Sequence, residues 1–281
     1  MTWLVFGSTG QVAQALATRL PDAVFLSRDA ADLSVPDACA RAIADHNPDV
    51  VLNAAAYTAV DQAEDEEALA TLINGHAPGA MAQACAERAI PFVHISTDYV
   101  FDGSGNTAWT PSDPTGPLGA YGRSKLAGEQ AVVAAGGTYA ILRTAWVFSA
   151  TGNNFVKTML RLGESRDRLT IVADQFGAPT EAGDIADAVI AIGQGLITDT
   201  SKRGVYHFCG HPFTHWAGFA KEIFAQADMP VEVVEIPSSE FPTKATRPGN
   251  SRLDCTSLTE AFGIEQPDWR ESLARVLTEL T

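Results

Sequence analysis

Thr2-Trp-Leu-Val-Phe6-Gly7-Ser-Thr9-Gly10-Gln11-Val12-Ala13 is the stretch that decides the fold. A short apolar run ends at a glycine, and the apolar positions then change period through Leu16 and Leu20, so the segment reads as strand, tight turn and helix. Such a turn takes glycine where the backbone must approach a pyrophosphate. The helix behind it offers free N–H groups and the positive end of its dipole to the phosphates. Gly7 and Gly10 fill those places, flanked by Thr9, Gln11 and Val12. Ala13 stands at the third small position, where the helix packs on the strand, one methyl bulkier than glycine.

Outward from this turn, short apolar runs alternate with amphipathic segments: strands are predicted at 24–27, 50–53, 92–96 and 139–143. That alternation predicts an α/β fold with a Rossmann-like, doubly wound parallel sheet. After Thr144 the rhythm loosens. A helix at 154–162, a strand at 170–173, a helix at 184–195 and a strand at 205–209 precede a helix capped by Thr214. From Pro230 onward the pattern is less regular, and a smaller α/β C-terminal substrate domain is expected. The predicted division places 1–145 and about 184–208 in the nucleotide-binding domain, and 146–183 and 209–281 in the substrate domain.

Composition narrows the function classes. The 281 residues are 46% hydrophobic and 19% charged, enough for one large or two modest cores. With 34 acids against 19 bases the net charge is −15, which excludes a phosphate-backbone partner such as nucleic acid. Cys39, Cys85, Cys209 and Cys255 are spread without a Cys-x-x-Cys pair, and no basic region precedes an apolar stretch at the start, so neither disulfides nor export is indicated. No apolar run approaches the roughly 20 residues of a membrane span. A cytoplasmic protein with no membrane partner is expected.

Tyr121-Gly-Arg-Ser-Lys125 lies downstream of the strand-like run ending Ile95-Ser96-Thr97-Asp98-Tyr99. A tyrosine and a lysine four apart share one helical face. An ammonium near 4 Å at an effective dielectric of about 20 supplies roughly 4 kcal/mol, which is about three pKa units of lowering for the phenol before desolvation is subtracted. Reduction of a ketone creates an alkoxide, which needs a donor to hold it and an acid to protonate it. Tyr121 is the candidate acid, Lys125 its electrostatic partner, and Thr97, at the carboxyl end of a strand, the candidate oxygen holder.

Cofactor preference is read at the end of the second strand, Leu26-Ser27-Arg28-Asp29. An acid there grips the ribose diol of NAD, whereas an arginine accommodates the extra phosphate of NADP. With Arg28 first, NADPH is expected and NADH is the alternative. Ala54, Ala55 and Ala56 would form a small-residue floor under the cofactor. Two further patterns carry no metal prediction. His207, His211 and His215 recur every four residues, yet Gly210 and Pro212 break any helix through them. The acidic run Asp61-Gln-Ala-Glu64-Asp65-Glu66-Glu67 reads as the solvated first turn of a helix capped by Thr58 or Asp61.

Together these residues resemble the extended short-chain dehydrogenase/reductase family. The match narrows through Asn53-Ala-Ala-Ala-Tyr57-Thr58-Ala-Val60-Asp61, Ser96-Thr97-Asp98-Tyr99-Val100-Phe101-Asp102-Gly103, Tyr121-Gly-Arg-Ser-Lys125-Leu-Ala-Gly-Glu129, Leu142-Arg-Thr-Ala-Trp146-Val-Phe148 and Asp174-Gln175-Phe176-Gly-Ala-Pro179-Thr180. In order and over nearly the full length, these blocks are similar to the dTDP-4-dehydrorhamnose reductase group. The resemblance implies NAD(P)H-dependent reduction of the 4-keto group of a dTDP-6-deoxy-hexulose, the last step toward dTDP-L-rhamnose. It implies that Tyr121 and Lys125 also meet the cofactor, Lys125 through the nicotinamide ribose, and that Asp32 and Leu33 form the acid-apolar pair beside the adenine.

By the same resemblance Thr58, Val60, Tyr99 and Trp146, with Thr97, line the sugar pocket. Gln175 and Phe176 are candidates for the nucleotide end, and Arg247 for the diphosphate. Some relatives hold a divalent metal through carboxylates of the first helix, but this chain has Gln14-Ala15 there, so no metal and a monomer or homodimer are expected. Three rival readings share the fold: a nucleotide-sugar dehydratase, an epimerase, and a dinucleotide-binding regulatory subunit. Dehydratases place an acid pair directly after the strand-end threonine, whereas here Asp98 is followed by Tyr99. Loss of the tyrosine–lysine pair would favour the regulatory role, and both residues are present.

Overall fold

The computed structural model describes residues 1–280. The elements run β1 (Trp3–Phe6), α1 (Gln11–Arg19), β2 (Val24–Leu26), α2 (Pro36–His46), β3 (Val50–Asn53), α3 (Glu67–Thr71), α4 (Ala77–Ala86), β4 (Phe92–Thr97), α5 (Ala120–Ala134) and β5 (Tyr139–Thr144). They continue with β6 (Val147–Phe148), α6 (Phe155–Gly163), β7 (Arg168–Val172), β8 (Phe176–Gly177), β9 (Thr180–Glu181) and α7 (Ala182–Thr198). Last come β10 (Gly204–His207), β11 (Thr214–His215), α8 (Trp216–Gln226), β12 (Glu232–Ile236), α9 (Thr256–Phe262) and α10 (Trp269–Leu280).

Six strands form one parallel sheet in the order β10-β5-β4-β3-β1-β2, the doubly wound arrangement expected from the alternating pattern. Because strand side chains alternate, each strand feeds two cores. Trp3, Val5, Leu52, Val93 and Leu142 pack with Leu16 of α1 and Ile185, Val189 and Ile192 of α7. Leu4, Phe6, Val51, Phe92 and Ile141 pack on the other face with Ile43 of α2 and Met81 of α4. Each such side chain, taken fully out of water, contributes about 1.5–3 kcal/mol. The strand order reverses between β1 and β3, so their carboxyl ends part and leave a crevice there.

The return of the chain to this sheet through α7 and β10 follows the predicted course, with shifted bounds. Helix α7 starts at Ala182 because the Glu181 carboxylate caps it, accepting the Asp184 N–H at 2.9 Å. Strand β10 ends at His207, and only the Phe208 N–H continues the ladder, to the Arg143 carbonyl at 2.9 Å. The predicted Thr214 cap is displaced to His215, whose Nδ1 accepts the Gly218 N–H at 3.2 Å; Thr214 and His215 are themselves paired with Gly177 and Phe176.

Residues of the later segments build a further core. Phe148, Met159, Phe219, Phe224, Trp269 and Leu273 gather between α6, α8 and α10, flanked by the parallel pair β7–β12. Between the cores, α5 lies against a π-helical segment, Leu72–His76. A Cβ at Gly128 of α5 would run into the Asn74 carbonyl, so only glycine allows this approach. Asn74, buried, accepts the Tyr57 N–H at 2.8 Å and donates to the Tyr57 carbonyl at 2.9 Å and Ser124 Oγ at 3.0 Å, tethering the loop after β3 to the helix that bears Tyr121.

Candidate active site

A cavity of about 630 Å³ opens at the carboxyl edge of the sheet. The turn after β1 contributes Gly7, Thr9, Gly10, Gln11 and Val12, and the segment after β3 contributes Ala54, Ala55, Ala56, Thr58 and Val60. Thr97 and Tyr99 reach it from the end of β4, Tyr121 and Lys125 from α5, and Trp146 from beyond β5. The remaining predicted residues lie elsewhere: Arg28, Asp32 and Leu33 beyond the end of β2, Gln175 and Phe176 at the start of β8, and Arg247 against Asp61.

The glycine turn fits a dinucleotide. Gly7 has φ +105°, and a Cβ there would lie 3.3 Å from both the Cβ and the N of Ala55. Gly10 is the N-cap of α1 and supplies no side-chain hydrogen bond, so the chain leaves the first N–H groups of that helix for a ligand. Over this turn runs the 149–154 segment, which the sequence reading overlooked. Gln11 Oε1 accepts from Ser149 Oγ and Asn154 Nδ2, each at 2.9 Å, and Gly152 and Asn153 thereby reach the cavity wall. Its Gly-Asn-Asn composition marks a turn, the only sequence signal available. At the end of β2, Arg28 Nε pairs with Asp32 at 3.4 Å, with the Arg28 side chain 77% exposed and free to meet a further phosphate.

Around the proposed proton donor the electrostatics differ from the expectation based on spacing. Thr97 Oγ1 donates to Asp98 Oδ1 at 3.0 Å and accepts the Tyr99 N–H at 3.2 Å. The Tyr99 and Tyr121 rings meet edge to face at 5.6 Å. Burial pushes the Tyr121 phenol up to about 12, the charge of Asp98 adds to the rise, and a hydrogen bond with Thr97 opposes it. Lys125 does not lower it here, because its Nζ turns to the Ile95 carbonyl at 2.7 Å and faces His94 Nε2 at 3.3 Å. Burial lowers Lys125 to about 8 against the opposing charge of Glu129. Tyr121 is therefore a protonated phenol at neutral pH, and Lys125 a cation that gives up its proton readily.

Asp98, also absent from the predicted site, forms part of the wall and is 2% exposed. Its Oδ2 has no partner within hydrogen-bond geometry, and burial raises its carboxyl to about 6 despite the Ser251 and Thr97 hydroxyls, which favour the anion.

Beyond β5, Trp146 has φ +49°, and its indole stacks on Trp216 with centroids 3.8 Å apart and planes at 16°. Trp216 also lines the cavity, and no local motif announces it. Gln175 acts on the cavity indirectly: its Oε1 accepts the Trp216 indole N–H at 3.1 Å while its Nε2 donates to Ser238 Oγ at 2.9 Å. Phe176 lies under the Arg252 guanidinium at 4.4 Å. Arg247 donates to Asp61 Oδ2 at 2.7 Å.

The acidic run does stand at helix starts, with Asp61 as the N-cap residue of the turn 62–64 and Glu67 in the first turn of α3, but its carboxylates are engaged by protein groups rather than solvated, which corrects that part of the expectation. Asp61 caps nothing with its side chain and instead also accepts the Ala245 N–H at 2.9 Å. Glu64 accepts the Ala120 N–H at 2.8 Å, Glu66 the Tyr57 hydroxyl at 2.8 Å, and Glu67 the Arg123 guanidinium at 2.7 Å, while Asp65 pairs with Lys244. These acids tie the loop beside the cavity to α5 and to the 244–247 segment. The three histidines fall in separate elements, and among the described residues no group of three His, Cys, Asp or Glu is arranged to hold a metal ion.

The class follows from the sheet and its edge: an NAD(P)-dependent oxidoreductase of the extended short-chain kind. Residues 1–281 match the model of the RmlD substrate binding domain family, and the chain belongs to that family. It is 46% identical over 298 residues to a dTDP-4-dehydrorhamnose reductase of Burkholderia thailandensis, covering 100% of this chain and 99% of that protein. Among solved structures, a dTDP-4-dehydrorhamnose reductase of Clostridium acetobutylicum superposes with a TM-score of 0.94 at 36% identity, covering 100% of this chain and 99% of that one. That of Bacillus anthracis, in complex with NADP, gives 0.92 at 35% identity and 99% of both chains.

Proposed function

We propose that the protein reduces the 4-keto group of dTDP-4-dehydro-6-deoxy-L-mannose (dTDP-4-dehydrorhamnose) with NADPH, NADH being the alternative, to give dTDP-L-rhamnose. The observation that carries this reading is a half-buried Tyr121 that lines, with Thr97 and Lys125, the edge of a cavity that begins at an open glycine turn. When bound, the reduced nicotinamide supplies the hydride that the ketone carbon accepts. Thr97 holds the ketone oxygen and Tyr121 gives it a proton, downhill from a phenol to an alkoxide. Lys125 then balances the tyrosinate and can return a proton to it.

The turn at Gly7 and Gly10 with Thr9, Gln11 and Val12 holds the diphosphate of the cofactor, Ala54, Ala55 and Ala56 lie beneath it, and Arg28, Asp32 and Leu33 take its adenosine end. Thr58, Val60, Tyr99 and the Trp146–Trp216 stack receive the sugar, with Gln175 behind Trp216 and Arg247 at the diphosphate once released from Asp61. In this reading 1–145 with 184–208 carries the cofactor, and 146–183 with 209–281 the substrate. The enzyme works in the cytoplasm as a monomer or homodimer without a metal.

The test follows NADPH absorbance with a dTDP-4-keto-6-deoxy sugar generated in situ. Tyr121→Phe is expected to lower turnover by about 10²–10⁴-fold, the worth of a positioned acid. Turnover by the variant at the wild-type rate would sink the assignment.

A further inference from the structure

Lys125 Nζ has a neighbour that the proposed reaction leaves without a task. His94, on β4, is fully buried, its ring stacked on Phe92 at 6.1 Å, and its Nε2 lies 3.3 Å from Nζ. The other ring nitrogen, Nδ1, lies 3.1 Å from Asn53 Nδ2 at the end of β3. The orientation of that amide is set, because Asn53 Oδ1 accepts the Ala55 N–H at 3.1 Å, leaving the NH2 group to face the ring. An amide NH2 only donates, so Nδ1 must accept, and a neutral imidazole accepting at Nδ1 carries its single proton on Nε2. The ring is neutral, held well below its ordinary pKa by burial and then by the charge of Lys125. An N–H therefore points at Nζ. Against an ammonium it is a donor facing a donor; against an amine it makes a hydrogen bond.

We propose that Asn53 and His94 are positioning residues for Lys125: the Asn53 amide locks the His94 imidazole as its Nε2–H tautomer, and that N–H, facing Nζ, loosens the proton on Lys125 that the reduction draws upon. This deepens the reductase reading above and rests on it for its catalytic consequence. The other groups facing Lys125 leave the role open to His94. Glu129, one turn on along α5, favours the cation but is tied to Arg143 of β5 at 2.7 Å and to Ser96 Oγ at 2.5 Å. Tyr121 shares its helix as a neutral phenol, and Asp98, just beyond β4, acts on Tyr121.

Two measurements test the proposal, and the first does not depend on turnover. In protein labelled with 15N-histidine, with His94 assigned by its loss in His94→Phe, the ring should show a protonated Nε2 and a bare Nδ1 unchanged from pH 6 to 8. Asn53→Asp, whose carboxylate demands Nδ1–H, should reverse the pattern. A wild-type ring protonated on Nδ1, or one that titrates in this range, overturns the proposal. The second is the pH profile of kcat/KM. Both variants remove the opposing donor, so the basic limb should move up by about one pH unit, a tenfold change in proton affinity. Loss of activity or stability with the limb unmoved means that His94 is only a packed polar residue, and also overturns it. If no keto sugar is turned over, the tautomer result stands and the reductase reading alone fails.

Discussion

Asp98→Asn is expected to make the protein more stable, and the gain should grow with pH. Asp98 is 2% exposed, and burial raises its carboxyl from 3.8 to about 6. A carboxyl whose folded pKa is raised holds its proton more tightly in the folded state. Its favourable contribution is therefore complete below about 3.8 and disappears as pH rises through about 6. Two units at 1.36 kcal/mol each put the cost of the charged form at about 3 kcal/mol at pH 8, and the linkage relation leaves about 1.5 kcal/mol of it at pH 5. Asparagine mimics the protonated acid: its Oδ1 can still accept from Thr97, and its NH2 group replaces an oxygen that has no partner. Urea unfolding of wild type and variant at pH 8 and pH 5 measures both differences. A variant no more stable than wild type at pH 8, or a gap of the same size at the two pH values, would refute the assignment of a buried, costly carboxylate. The same substitution removes the charge that adds to the rise of Tyr121, so in the more stable variant the phenol should titrate lower.

Arg143 and Glu129 are a two-pronged buried pair, with contacts of 2.9 and 2.7 Å and side chains only 5% and 4% exposed. Arg143→Ala should cost about 3–5 kcal/mol in chemical denaturation by stranding the carboxylate, and Arg143→Met with Glu129→Leu should recover most of it. Trp216→Ala removes the face on which Trp146 stacks. It should raise KM for the sugar nucleotide about 2–10-fold, the worth of an aromatic pair, with kcat little changed, as steady-state kinetics would show. Gly128→Ala sets a methyl against the Asn74 carbonyl and should lower stability by about 1–3 kcal/mol, read from the shift in denaturation midpoint.

The parallel sheet was readable because each of its inner strands is buried on both faces. That requirement writes mostly apolar runs into 50–52, 92–95 and 139–142, interrupted only at His94, and needs no knowledge of partners. The later pairings did not show in this way. Val147 and Phe148 find Thr180 and Glu181, and Phe176 finds His215, in two-residue ladders too short to imprint a period. The partners of the acidic run 61–67 are hidden from the sequence for a related reason. A local reading sees only like charges at a helix start, whereas the cations that answer them, Arg123 and Arg247, stand 56 and 186 residues away from Glu67 and Asp61.

At the candidate site the same division holds between what spacing carries and what surroundings add. A spacing of four between Tyr121 and Lys125 places both on one face of α5, and both reach the cavity. Spacing does not say that the Lys125 ammonium lies against a β4 carbonyl rather than the phenol. Nor does it supply the burial that drives the phenol to about 12 and the amine to about 8. Those two shifts push the phenol and the amine apart, from 10.0 and 10.5 to about 12 and about 8, so that the phenol keeps its proton while the ammonium is the readier donor. A tyrosine kept protonated beside a lysine that yields its proton is suited to delivering a proton to a ketone oxygen, and the neighbours that produce this state, His94, Asp98 and Glu129, come from the ends and faces of strands and helices that no motif containing Tyr121 spans.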